Sequence, residues 1–200
     1  MAEFTLKCGG CGADVLENQL GNGEICPICG QAARIKHYQT VATMPLPQVQ
    51  KYQMAFQTQM AVNPNDNTLN SSLAFCFLKL KLPEKALPFF EKAMVNNFSD
   101  PNLYYYAAIC LLKGKKAFVA MRPEIDTIER YLDTAISLEP RGIFYYFQAY
   151  IKYDYYSRKF FKTSPTWQEA LTNAKNTGVT ANDIEDFCQM TGIERPGWPV

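Results

Sequence analysis

The stretch NSSLAFCFLKLKLPEKALPFFEKA, residues 70–93, decides the reading of this chain. Leu73, Ala74 and Phe77 fall on one helical face, and Ala86, Phe90 and Ala93 fall on a second, with Pro83 placed where a first helical turn accepts it. The stretch reads as two helices joined by a short turn. Moved forward by 34 residues, the first set lands on Ala107, Ala108 and Leu111, and Cys76 lands on Cys110. Recurrence at that period implies a stack of similar helical pairs, each burying its apolar face against the next.

The pattern extends in both directions. Upstream, residues 48–62 are helical in spacing, and Tyr52, Phe56 and Gln59 take the places that Ala86, Phe90 and Ala93 take 34 residues later. This helix stops at Asn63-Pro64-Asn65-Asp66 and reads as an unpaired second helix that caps the stack. The first full pair joins Leu69–Leu80 to Pro83–Val95, with Pro88 removing one backbone hydrogen bond. The second opens at Asp100-Pro101, runs to about Lys113, and resumes over Pro123–Leu138. There Ile128, Leu132 and Ala135 lie eight residues later than strict spacing requires, so Lys113–Arg122 contains an insertion. The third pair puts Tyr146, Ala149, Tyr150 and Tyr153 on one helix and Trp167, Leu171 and Ala174 on another begun by Ser164-Pro165. Thr180 with Asp183 predicts a capping box for a last helix through Met190, followed by an extended tail over residues 192–200.

Residues 48–191 resemble a tetratricopeptide-repeat solenoid with about three repeats plus capping helices. The fold class expected is therefore mostly α. The resemblance implies a concave groove lined by the first helix of each repeat. At those positions stand Phe75, Lys79, Asn102, Tyr105, Ile109, Lys113, Phe144, Phe147, Ile151, Asp154 and Tyr155. An apolar, aromatic lining of this kind suits a partner helix or extended peptide with apolar anchors. Packing of the same rings against the ribbon or the last helix is the alternative. Members of the family that hold chaperone tails use a Lys/Asn/Arg clamp, where this chain has Ser71, Phe75, Tyr106, Phe144 and Gln148. A carboxylate clamp is not expected. The insertion carries Lys113, Lys115, Lys116 and Arg122 around residues 118–121, and reads either as a solvated loop or as a contact for an acidic partner.

A different signal occupies the N-terminus. Cys8-Gly9-Gly10-Cys11 and Cys26-Pro27-Ile28-Cys29 are two C-x2-C pairs separated by fourteen residues, each followed by Gly. Two such pairs supply four thiolates to a tetrahedral ion, and the glycines permit the tight turns around sulfur. Residues 15–25 read as a hairpin around Gly21-Asn22-Gly23, with a third strand through Ala33–Tyr38. The stretch resembles a zinc ribbon, and the resemblance implies one structural Zn2+ held by Cys8, Cys11, Cys26 and Cys29. Iron in a rubredoxin-like site and a thiol redox pair are the competing readings. Four protein ligands leave no open position for a catalytic water. His37, the single histidine, lies beyond a complete quartet and reads as a surface or packing residue.

The domain reading is thus a ribbon over residues 1–40, a Pro-containing linker over 41–47, a helical solenoid over 48–191 and a tail over 192–200. With 20 basic against 19 acidic residues, the net charge of +1 gives no global attraction for nucleic acid or an anionic membrane. The ribbon has Lys7, Arg34 and Lys36 against Glu3, Asp14, Glu17 and Glu24, a poor balance for phosphate. Residues 1–7 carry no apolar core segment, so a cytoplasmic setting without a membrane partner is expected. No Gly-rich phosphate loop, H-E-x-x-H pair or G-x-S-x-G elbow is present, and no enzymatic activity is expected. These features point to an adaptor or scaffold that binds a protein or peptide. A nucleic-acid-binding regulator and an accessory subunit of an enzyme complex are the alternatives.

Overall fold

Asp66, Asp100, Thr166 and Thr180 each precede a helix with an extended backbone, and each side chain accepts a hydrogen bond from an N–H of the first turn. These caps satisfy donors that a helix leaves without an internal partner, and so fix where the helices begin. The computed structural model describes residues 5–8, 13–16, 26, 33–35 and 37–197. Along them run β1 (Thr5–Cys8), β2 (Asp14–Leu16), β3 (Ala33–Arg34), α1 (Tyr38–Ala42), α2 (Leu46–Val62), α3 (Asn67–Lys79) and α4 (Pro83–Asn96). They are followed by α5 (Pro101–Leu111), α6 (Arg122–Leu138), α7 (Gly142–Ile151), α8 (Trp167–Asn176) and α9 (Ala181–Thr191). The chain is mostly helical, as the spacing predicts.

The chain divides into two units, Met1–Asn97 and Phe98–Val200, so the 48–191 span expected as one domain is shared between them. In the first unit, β1 pairs antiparallel with β2 on one side and with β3 on the other. The third strand is shorter than expected: it ends at Arg34, and α1 begins at Tyr38. Ile35 instead turns into the interior, donating its N–H to Ser72 Oγ on α3 at 2.9 Å and accepting from that hydroxyl at 3.1 Å. Lys79 donates to the Ala42 carbonyl, tying α3 to the end of α1. Residues 41–47, expected as a linker, hold the end of α1 and the start of α2. Pro47 falls in the first turn of α2, where its missing N–H is not needed. The faces indexed from residues 70–93 form the core here: Tyr52 and Phe56, Leu73 and Ala74, and Ala86, Phe90 and Ala93 are all buried.

The second unit pairs α5 with α6 and α7 with α8, with α6 also against α7. Ile128, Leu132 and Ala135 are buried, which confirms the shifted register after the insertion. α8 starts three residues beyond Ser164, from a capping box between Thr166 and Glu169. The expected box of Thr180 and Asp183 opens α9. α9 packs on both α5 and α7. Gly142 opens α7 so close to the loop before α9 that a Cβ there would lie 2.4 Å from the Val179 nitrogen.

Beyond α7 the chain departs from a regular helix. Lys152–Tyr156 forms a π-helical turn, Ser157–Lys159 a 3-10 turn, and Phe160 ends the run in the left-handed region at φ 59°. Lys152, Asp154, Tyr155 and Tyr156 are all buried, a larger share of the circumference than one core-facing stripe requires. The insertion supplies the extra cover: its 3-10 turn, Ala117–Val119, packs against the π-helical turn.

Candidate functional site

Of the four cysteines expected to hold metal, Cys11 and Cys29 lie outside the described residues. Cys8 ends β1, and Cys26 is buried with 1% of its surface exposed. The strand register constrains the backbone around them. Lys7 pairs with Asp14 and Cys8 pairs with Ala33, so β1 ends where β2 and β3 begin. The last residue of β1 and the first residues of β2 and β3 therefore lie at one end of the sheet. Among the described residues no three metal-ligating side chains converge.

The eleven positions expected to line a groove differ from that expectation in exposure. In the first unit, Phe75 is buried edge-on against Phe90, with ring centroids 5.3 Å apart, and the Lys79 ammonium is held by Ala42. In the second unit, Tyr105, Ile109, Phe144, Phe147, Ile151, Asp154 and Tyr155 are buried. For the rings around Phe147 the physical reason is α9, and for Asp154 and Tyr155 it is the insertion. Phe187 of α9 meets the rings of Tyr146, Phe147 and Tyr150 at centroid distances of 5.8, 4.9 and 5.9 Å. Tyr105 packs on Phe144 and Phe147 beneath it. The chain's own last helix occupies this aromatic face. Asn102 and Lys113 are half-buried and engaged: the Asn102 side chain accepts from Arg141 at 2.9 Å, and Lys113 pairs with Glu124 at 2.6 Å.

The polar side chains at the end of α7 form a second centre. The Lys152 ammonium lies 2.6 Å from Glu129 Oε1 and donates to Thr163 Oγ1 at 2.7 Å. The Tyr156 hydroxyl donates to Glu129 Oε2 at 2.6 Å, and burial pushes this phenol up. Gln148 donates to Asp133 on α6, whose carboxyl is raised by burial and by the nearby Glu129 charge. With Lys152 engaged on two sides, this centre holds α7 to α6.

Asp154 joins the insertion to the irregular end of α7. Its Oδ2 accepts from the Phe118 backbone N–H at 2.8 Å and from the Tyr150 hydroxyl at 3.2 Å, while Oδ1 accepts from Arg158 at 2.5 Å. Arg158 and Lys159 then lie over the Phe118 ring, Lys159 also covers Tyr155, and Arg122 covers Tyr156. The insertion and the irregular end of α7 thus lie together in space. Around them Val119, Met121, Phe160 and Phe161 are exposed, Phe160 to 94%. Beside Phe160 and Phe161 opens a cleft of about 510 Å³ that Lys152, Thr163, Thr166 and Trp167 also line. Sequence reasoning singled out the insertion but not residues 158–162. The run Arg158-Lys159-Phe160-Phe161-Lys162, basic and aromatic together, carried that signal.

No family model matches the chain, and no curated protein matches it. Among the described residues no helix is long and apolar enough to cross a membrane.

Proposed function

We propose that the chain is a non-enzymatic adaptor: a tetratricopeptide-like array of helical pairs, joined to a structural zinc ribbon, that presents a surface to a protein or peptide partner. The observation that carries this reading is the conjunction of Phe160, Phe161, Val119 and Met121, all exposed, with the basic side chains around them. Exposed apolar side chains gathered beside basic ones suit a binding surface. The pairing of α3 with α4, α5 with α6 and α7 with α8 supports the repeat reading. A partner in the aromatic face would have to displace α9, so the surface accessible in this conformation is the insertion and the end of α7.

The ribbon reading is supported by the strand register and by the burial of Cys26. A thiol pair leaving β1 and a thiol pair entering β3 suit one tetrahedral ion with Cys8, Cys11, Cys26 and Cys29 as ligands. The ion supplies folding energy to a sheet whose longest strand has four residues. A cytoplasmic setting belongs to the same proposal, since paired cysteines bind metal where thiols stay reduced.

Affinity purification of the full chain from cells that naturally produce it, with metal analysis of the eluate, tests both halves. One zinc per chain and a stoichiometric protein partner are expected. An eluate without zinc or iron overturns the ribbon, and a chain that elutes alone overturns the adaptor.

A further inference from the structure

We propose that the surface built by the 113–122 insertion and the 152–162 segment docks an acidic peptide that carries one bulky apolar anchor; this rests on the adaptor reading and names the chemistry of the partner. The charge argument is local. Residues 113–126 and 152–162 carry eight Lys and Arg against three Asp and Glu, whereas the chain as a whole has a net charge of only +1. The remainder is therefore net acidic, and the positive field is concentrated on these two segments. Their three carboxylates are already paired: Glu124 with Lys113, Asp126 with Arg122, and Asp154 with Arg158. Lys152 is paired outside the two segments, with Glu129 of α6, which leaves Lys115, Lys116, Lys159 and Lys162 in excess.

The apolar part has the shape of a receptor for one side chain. Phe160 is 94% exposed and is held at a φ of 59°, a backbone conformation that a bulky L residue rarely adopts. Phe160, Phe161 and Trp167 border the cleft of about 510 Å³ together with the polar residues Ser157, Thr163, Thr166 and Gln168, of which the Thr163 and Thr166 hydroxyls are engaged by Lys152 and Glu169. A recess with aromatic walls and several hydrogen-bonding groups accepts a bulky side chain together with polar groups of its backbone. An anionic bilayer would meet the same lysines, but its surface offers no group that enters a recess. Concavity and charge together favour the acidic peptide. The preceding turn is π-helical, a geometry that recurs at functional sites.

The test uses the full chain and fluorescein-labelled synthetic peptides of aspartate and glutamate around one central tryptophan, read by fluorescence polarisation. One control peptide replaces the tryptophan by alanine and a second replaces the acidic residues by lysine. Binding of the acidic tryptophan peptide, weakened about tenfold or more by either replacement and by added salt, is expected. Phe160→Ser and the triple variant Lys115→Glu, Lys116→Glu, Lys162→Glu change exposed side chains, and each is expected to bind at least about tenfold more weakly with an unaltered circular-dichroism spectrum. Equal binding of acidic and basic peptides overturns the proposal, as does unchanged affinity of both variants. So does sedimentation with vesicles of phosphatidylcholine and phosphatidylserine without any peptide binding. A natural partner kept by both variants overturns the docking site and leaves the adaptor standing, whereas absence of any partner for the parent chain overturns the adaptor itself.

Discussion

Phe187 of α9 lies with its ring centroid 4.9 Å from that of Phe147 of α7, so the last helix of the chain supplies the cover of its own aromatic face. Both rings are fully buried. Truncation of Phe187 removes its contacts with Tyr146, Phe147 and Tyr150 at once. Phe187→Ala is expected to destabilise the protein by about 3–5 kcal/mol, measured by urea denaturation. Hydrogen exchange in α9 and α7 should rise together, and exchange unchanged in α7 would show that α9 is not its cover.

Tyr105 poses the opposite case. Its ring fills the space between Phe144 and Phe147, but its buried hydroxyl finds no hydrogen-bond partner among the described residues. Burial raises this phenol well above its ordinary value, so it stays protonated. Tyr105→Phe keeps the ring and removes the unsatisfied group, and should leave stability unchanged or raise it by about 1 kcal/mol in thermal unfolding. A loss of more than about 1 kcal/mol would reveal a partner for the hydroxyl.

In the Lys152 and Glu129 pair the ammonium is buried and the carboxylate half-buried, with side-chain exposures of 7% and 18%. Removing one partner leaves the other charge desolvated, so Lys152→Met is expected to cost about 3 kcal/mol or more. Lys152→Met with Glu129→Leu should recover much of that loss, because two apolar side chains avoid the desolvation of both ions. A double-mutant cycle in urea measures the coupling, and strict additivity would contradict the pairing.

Gly142 is required by space rather than by backbone angle. A Cβ would meet the Val179 nitrogen and Cα and the Ala174 carbonyl at 2.4, 2.7 and 2.9 Å, and backbone atoms cannot turn aside. Gly142→Ala should therefore destabilise by about 1–3 kcal/mol through forced displacement of the loop before α9. Gly178, at φ 78° in open space, gives a control in which strain acts alone. Gly178→Ala should cost only about 1 kcal/mol, and thermal unfolding of the two variants separates the mechanisms.

The insertion is expected to make stability depend on acid. Glu124 accepts from Lys113 at 2.6 Å and from the Met121 N–H at 3.0 Å, and these bonds, the first being the larger cause, hold its carboxyl below the ordinary range. A lowered acid means that the unfolded chain takes up the proton more readily. The contribution is complete above the ordinary glutamate range and is lost as pH falls through the folded value. Between neutrality and about pH 3, the parent protein should lose more stability than Glu124→Gln. Parallel urea midpoints for the two proteins across that range would show that the pair contributes nothing.

The helices were legible because their core faces obey local spacing. Leu73, Ala74 and Phe77 could be indexed from residue to residue, as could Ile128, Leu132 and Ala135 once the insertion was allowed for, and all are buried. The box of Thr180 and Asp183 was legible for the same reason: donor and acceptor lie three residues apart. The π-helical turn was not, since no local spacing marks it and it is held by a bond from Phe118 to Asp154 across 36 residues. Nor was the filling of the aromatic face. Phe187 reads as an apolar position on a helix, and only the packing of α9 on α5 and α7 decides whether its target is solvent, a partner or the chain itself. Within the expected linker at 41–47, Pro47 stands in the first turn of α2, where a proline that would break a helix interior is tolerated.

Asp154 makes the insertion impossible to trim in isolation. Shortening the loop around Phe118 would strand a buried carboxylate that also holds Arg158 and Tyr150. Removing the carboxylate would in turn leave the Phe118 N–H without its acceptor. The two segments are therefore one transplantable unit: a graft of either into another helical array fails unless the other travels with it, and relatives that shed one over evolution should be found to have shed both.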